Sequence, residues 1–171
     1  MSFRRFLVAL VVVLLVHLAG MRLIPEFSRI FDLFLVLTVL GALDGSSFRG
    51  MLGGLVCGLM ADTFSGQAFG LHGFADTLAG YVTARIAQRL ATRRSPGLLA
   101  VLVAAAVLQQ ATLVLLTALL IPNPELPALE WVAVRVVTSA VLGWIFYLAG
   151  ESARQRLETS RRTRKTPIKL S

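Results

Sequence analysis

From Leu98 to Ile121 the chain carries no Asp, Glu, Lys or Arg. That run is long enough to cross the hydrocarbon core of a bilayer as a helix. Phe6 to Met21 is equally free of these charges. Lipid offers no water to the backbone, so each span must satisfy its own N–H and C=O groups, as an α-helix does. Composition agrees: 56% of residues are hydrophobic, 15% are charged and the mean hydropathy is +0.76. Soluble domains average nearer ~45–50% apolar and ~25% charged. The expected fold class is all-α, a polytopic membrane protein of about six transmembrane helices. Residues 1–150 read as one six-helix transmembrane domain and residues 151–171 as a basic cytoplasmic tail. Cys57 is the only cysteine, so no internal disulfide can form.

Breakers mark the spans. Helix 1 is expected over Phe6 to Ile24, ending at Pro25 and the polar Glu26-Phe27-Ser28-Arg29. Arg4-Arg5 followed by Phe6 to Val16 resembles a signal peptide, but the region around His17-Leu18-Ala19 matches a cleavage site poorly. It is read as an uncleaved helix. Helix 2 covers Phe31 to Leu43 and stops at Asp44-Gly45. Ser46 and Ser47 can cap helix 3, Phe48 to Ala61, which ends in a turn from Asp62 to Gly66. Helix 4 runs from Ala68 to Leu90, ending at Arg93-Arg94-Ser95-Pro96-Gly97. Helix 5 spans Leu98 to Ile121, and Pro122-Asn123-Pro124 cannot continue it. Helix 6 covers Glu130 to Gly150. At 1.5 Å per residue, helices 2 and 3 reach only roughly 20 Å, against a core of ~30 Å. Such helices thin the bilayer or pack centrally.

The net charge is +8 and the pI about 11.2. In a soluble chain this would point to nucleic acid. Here the charge is segregated: Arg4, Arg5, Arg49, Arg85, Arg89, Arg93, Arg94 and the tail fall at one membrane side, and only Arg22, Arg29 and Arg135 towards the other. The positive-inside rule places both termini in the cytoplasm and predicts no nucleic-acid partner. Tail residues Arg154, Arg156, Arg161, Arg162, Arg164, Lys165 and Lys169 are candidate contacts for anionic lipid. Trp131 and Tyr147, at opposite ends of helix 6, fit interfacial anchoring.

Glycine and polar residues concentrate between Gly50 and Tyr81. Gly50, Gly54 and Gly58 fall four apart on one helix face, followed by Gly66, Gly70 and Gly80. These are candidate positions for close helix packing and partner binding. His17, Asp62, His72, Asp76 and Arg135 all lie towards the outer half of their helices, and Gln109 and Gln110 at the middle of helix 5. Polar groups at that depth form either interhelical ties or an outward-facing site. Arg135 can pair with Asp76 or extend to the outer surface, and His72 with Asp76 sits at the spacing of a proton relay. Asp62 and Ser65 can take up backbone donors in their turn. No nucleophile, phosphate loop or metal-ligand spacing accompanies these residues, so no enzyme, cofactor or metal is expected.

The run Asp32-Leu33, Ala42-Leu43, Gly45, Gly50, Gly54, Gly58-Leu59, Asp62, Ser65-Gly66, Gly70-Leu71, Leu78 and Gly80-Tyr81 resembles the MreD family of rod shape-determining membrane proteins. The Gly-Leu-x-x-Asp-x-x-Ser-Gly-x-x-x-Gly-Leu core, Gly58 to Leu71, is its most specific part, and Phe31 stands where the family often has Pro. The resemblance implies a bacterial inner-membrane scaffold without chemistry of its own. It implies an MreC-like single-span periplasmic partner. MreB-like filaments and a RodA-type glycosyltransferase with its penicillin-binding transpeptidase would be further partners, direct or indirect. It also implies a fold similar to the substrate-binding components of energy-coupling-factor transporters. The competing expectation is a vitamin-type small-molecule binder using an outward pocket of His17, Asp62, His72, Asp76 and Arg135. Only two Trp and two Tyr are available to stack an aromatic ligand.

Overall fold

A computed structural model describes residues 3–43, 46–66, 68–89, 95–124 and 126–164. The described residues form seven helices: α1 (Phe3–Leu23), α2 (Phe27–Ile30), α3 (Leu33–Ala42), α4 (Ser47–Ser65), α5 (Leu71–Arg89), α6 (Ser95–Leu120) and α7 (Leu129–Arg164). The expected stops at Asp44-Gly45 and Arg93-Arg94, together with Lys165 and Lys169, lie outside the described residues.

α3 is the hub. Its ten residues are apolar on every side, and Leu33 to Val39 and Ala42 are buried. A helix without a polar face must be surrounded. α3 accordingly packs against α1, α4, α5, α6 and α7. Its brevity is thus met by central packing. Asp32 caps its first turn by accepting a hydrogen bond from Leu35 N at 2.9 Å.

α4 and α5 make the closest pair, running antiparallel. A Cβ on Gly50 would lie 2.6 Å from the carbonyl oxygen of Gly80. Gly54 approaches the carbonyl of Asp76, and Gly58 that of His72, more closely still. Gly80 faces Gly50 in return. Four of the six glycines expected to pack therefore do so, backbone to backbone. Gly66 and Gly70 do not. A Cβ on either meets nothing within 4 Å, and their φ angles are +66° and +103°. They shape the α4–α5 connection, where L-residues with a side chain are strained.

Several boundaries differ from expectation. Glu26 to Arg29 was read as a break, but Phe27 to Ile30 makes one helical turn, with an Arg29–Glu26 ion pair of 3.1 Å. α4 continues four residues past Ala61, so Asp62 is helical and not in a turn; Gly66 ends the helix in the left-handed region. α5 begins at Leu71, after positive-φ Gly70. Ser46 is the N-cap of α4 but makes no side-chain capping bond. α7 continues past Gly150 to Arg164.

Among the described residues, three helical stretches are long and apolar enough to cross a membrane by themselves: Phe3–Leu23, Gly97–Leu120 and Leu129–Ser152. α3 is too short, and α4 and α5 are not apolar enough although each has 19 residues. Their glycines and carboxylates are hidden in the α4–α5 seam and the centre of the bundle. α1 shows Leu7, Val8, Val11 and Leu15 outward, α7 shows Val137, Val141 and Ile145, and α4 shows Met51, Leu52 and Leu55. One core cluster joins α3, α5, α6 and α7 through Leu35, Val39, Ala79, Leu98, Leu102 and Ala140. Tyr147 packs against this cluster. A second cluster joins α1, α3 and α4 through Phe34, Leu37 and Cys57.

Candidate functional site

The buried carboxylates Asp32, Asp62 and Asp76 belong to two networks. The first is centred on Asp32, at the start of α3 and 2% exposed. Its Oδ2 accepts from Gln109 Nε2 on α6 at 2.8 Å and from Arg135 Nη2 on α7 at 2.6 Å. Gln109 Nε2 also donates to Asp76 Oδ1 on α5 at 2.6 Å. Gln110 Nε2 donates to Gln109 Oε1 at 3.2 Å. One carboxylate at an α3 cap thereby ties three further helices together. Arg135 pairs with Asp32 and not with Asp76, and it does not extend to the surface: its side chain is 20% exposed. Asp76 takes its bond from Gln109 instead.

The second network belongs to Asp62, in the last turn of α4. Its carboxylate accepts from the backbone N–H of Gly70 at 2.8 Å, His72 at 2.9 Å and Gly73 at 3.0 Å. His72 Nδ1 lies 3.0 Å from Asp62 Oδ1. Asp62 is therefore the N-cap of α5 supplied from another helix. It satisfies first-turn donors that have no intrahelical partner, and its charge suits the positive end of the helix dipole. His72 is held by Asp62, so the expected His72–Asp76 relay is replaced by two separate ties.

Between these networks lies a cavity of about 910 Å³. Asp32, His72, Gln110 and Arg135 contribute to its polar lining and Phe34, Phe64 and Leu113 to its apolar lining, with Ile121, Asn123, Leu126, Pro127 and Ala128 beside them. Arg29 and Trp131 also line it, with the guanidinium 5.2 Å above the indole ring. α2 is fastened beside it, because Thr138 Oγ1 donates to the carbonyl of Ile30. His17 lines the cavity from α1, its ring centroid 5.6 Å from Phe27, 5.1 Å from Phe34 and 5.3 Å from Phe64.

Of the residues singled out in the sequence, His17, His72, Gln110 and Arg135 line the cavity, while Asp62, Asp76 and Gln109 stand behind it as hydrogen-bonded supports. Gly50, Gly54, Gly58 and Gly80 lie in the α4–α5 seam, outside the cavity lining. Arg154, Arg156, Arg161, Arg162 and Arg164 belong to the last turns of α7. Asp32 was not singled out as a buried polar residue, although it is the centre of the first network. Its signal was present: an Asp placed directly before a short apolar run is an N-cap signature. Arg29 was read as part of a break and as a charge on the outer side, not as a site residue. Among the described residues, no group of three or more His, Cys, Asp or Glu is arranged to hold a metal ion.

The arrangement is chemically one of recognition: apolar walls, a few convergent polar groups and carboxylates already engaged as hydrogen-bond acceptors. No curated protein and no solved structure matches the chain significantly. The family model described as rod shape-determining protein MreD matches residues 2–149, most of the chain. The chain, with its three long apolar helices and its Gly58-to-Leu71 core, belongs to the MreD family of rod shape-determining membrane proteins.

Proposed function

We propose that this protein is a non-catalytic scaffold of the bacterial cell-elongation machinery, held in the inner membrane with both termini in the cytoplasm. Its part is to bind an MreC-like single-span protein and so help to organise peptidoglycan synthesis. The observation that carries this reading is the cavity of about 910 Å³ with aromatic walls and polar lining. It lies at the end of the bundle bearing Ser28, Asp32, Gly66, Ala68, Ile121 and Ala128. The opposite end bears Arg4, Arg5, Arg49, Arg85 and Arg89. By the positive-inside rule the basic end is cytoplasmic and the cavity opens to the periplasm, where the stretch of a partner next to its membrane span can enter it. The tail of α7 then lies over the cytoplasmic leaflet. Each Lys or Arg near anionic lipid contributes about 1 kcal/mol. MreB-like filaments and the RodA-type synthase pair are further partners in this reading, reached directly or through the MreC-like protein.

The test is co-purification of the tagged protein with an MreC-like partner from native membranes in mild detergent. Stoichiometric recovery is the expected result. Its absence, with the protein folded and inserted, ends the scaffold reading.

A further inference from the structure

His17 and Arg135 raise a question that the two networks leave open. Both ring nitrogens of His17 are buried and have no hydrogen-bond partner, and the same is true of Arg135 Nε. Buried polar groups are normally paired, and leaving them bare is costly. Both residues line the cavity. The unmet donors are Arg135 Nε–H and the one N–H that a neutral imidazole carries; the other His17 ring nitrogen, and Asp76 Oδ2 behind the cavity, are unmet acceptors. Asp32, the carboxylate beside them, is already taken up by Leu35 N, Gln109 and Arg135. Arg29 adds a guanidinium to the lining, its side chain 60% exposed. The unpartnered donors of the lining thus belong to the cationic Arg135 and to His17, set among Phe34, Phe64 and Leu113.

We propose that the cavity takes an acidic side chain, an Asp or Glu flanked by apolar residues, from the membrane-proximal stretch of the partner protein. The carboxylate seats between His17 and Arg135, its apolar neighbours rest on the aromatic walls, and Arg29 draws it in. This rests on the reading of the cavity as a partner's docking site and adds the chemistry that the site selects. A planar guanidinium matches a carboxylate in geometry as well as charge. Phe27, on the four-residue α2, stands edge-on against the His17 ring.

The experiment co-expresses the full chain with a tagged MreC-like partner and measures recovery of the pair. His17→Phe keeps an aromatic ring in the cage and removes its nitrogens; Arg29→Glu reverses the charge of an exposed side chain whose contacts are the Glu26 ion pair and the Trp131 ring. Each is expected to lower recovery about tenfold or more, as when one member of a desolvated polar pair is lost. Acidic residues of the partner's membrane-proximal stretch are then changed singly to Lys, and one of them is expected to restore recovery with Arg29→Glu. Wild-type pairing that neither variant weakens overturns the acidic-group assignment and leaves the scaffold reading standing. So does weakened pairing that no Lys substitution restores. Failure of the wild-type pair to form overturns the scaffold reading, and this inference with it.

Discussion

A methyl group on Gly54 would overlap the carbonyl of Asp76 on the facing helix. Neither backbone can yield, because α3 is packed against both helices. Gly54→Ala is therefore expected to destabilise the protein by about 1–3 kcal/mol, the usual cost of overpacking. Gly97→Ala, where a Cβ meets nothing, is expected to be neutral or slightly stabilising. Reversible unfolding in bicelles separates the two, and equal stability would remove the seam from the account of the fold. Asp62 makes a comparable case with polar atoms. Asp62→Ala strips the carboxylate partner from the N–H groups of Gly70, His72 and Gly73. Loss of a cap costs about 0.5–2 kcal/mol, and unpaired buried donors add to it. Hydrogen exchange should quicken at those three amides first, while amides in the middle of α6 stay protected. The glycine spacing was legible in the sequence because a period of four puts small residues on one helix face. The different use of Gly66 and Gly70 was not, because spacing carries no information about φ.

At the scale of elements, the Asp32–Arg135 pair joins the cap of α3 to α7, and Gln109 extends the tie to α5. Removing one member of a buried pair leaves the other uncompensated, at about 3–5 kcal/mol. Arg135→Met should therefore be severe, and Asp32→Asn with Arg135→Met should recover a large part of the loss. A double-mutant cycle on unfolding free energy measures this, and additive losses would show that the two charges are independent. Six of the seven described helices could be read from hydropathy and breakers, whereas α2 was read as a break. The ends could not: α4 outlasts Ala61 because Gly66, four residues beyond Asp62, supplies the stop. The pairing of Arg135 was likewise hidden. Matching depth made Asp76 a candidate, whereas the chosen partner is Asp32, 103 residues away in the chain. Choice among carboxylates at similar depth is decided by which helices are neighbours.

For the whole molecule, membrane orientation is the property that links the fold to the proposed scaffold role. Cys57 is 0% exposed, so it contributes little background to thiol labelling. Ala128→Cys is expected to react with a membrane-impermeant maleimide in intact cells, and Arg89→Cys only after the membrane is opened. The reverse pattern would place the cavity in the cytoplasm. A peptide of residues 151–171 is expected to bind vesicles containing anionic lipid, and to release as salt rises and screening shortens the range of its charges. Binding to neutral vesicles as well would sink the lipid role of the tail. The sequence by itself determined that the chain is helical and membrane-embedded, where its basic residues cluster, and to which family it belongs. These follow from local properties: runs of apolar residues, charge positions and a motif within Gly58 to Leu71. Only the tertiary structure decided that the short apolar α3 occupies the centre, that Asp32 holds the polar network, and that His17 and Arg135 share one cavity. Those are relations between helices far apart in the chain, and the close α4–α5 contact and the pairing of buried charges set them.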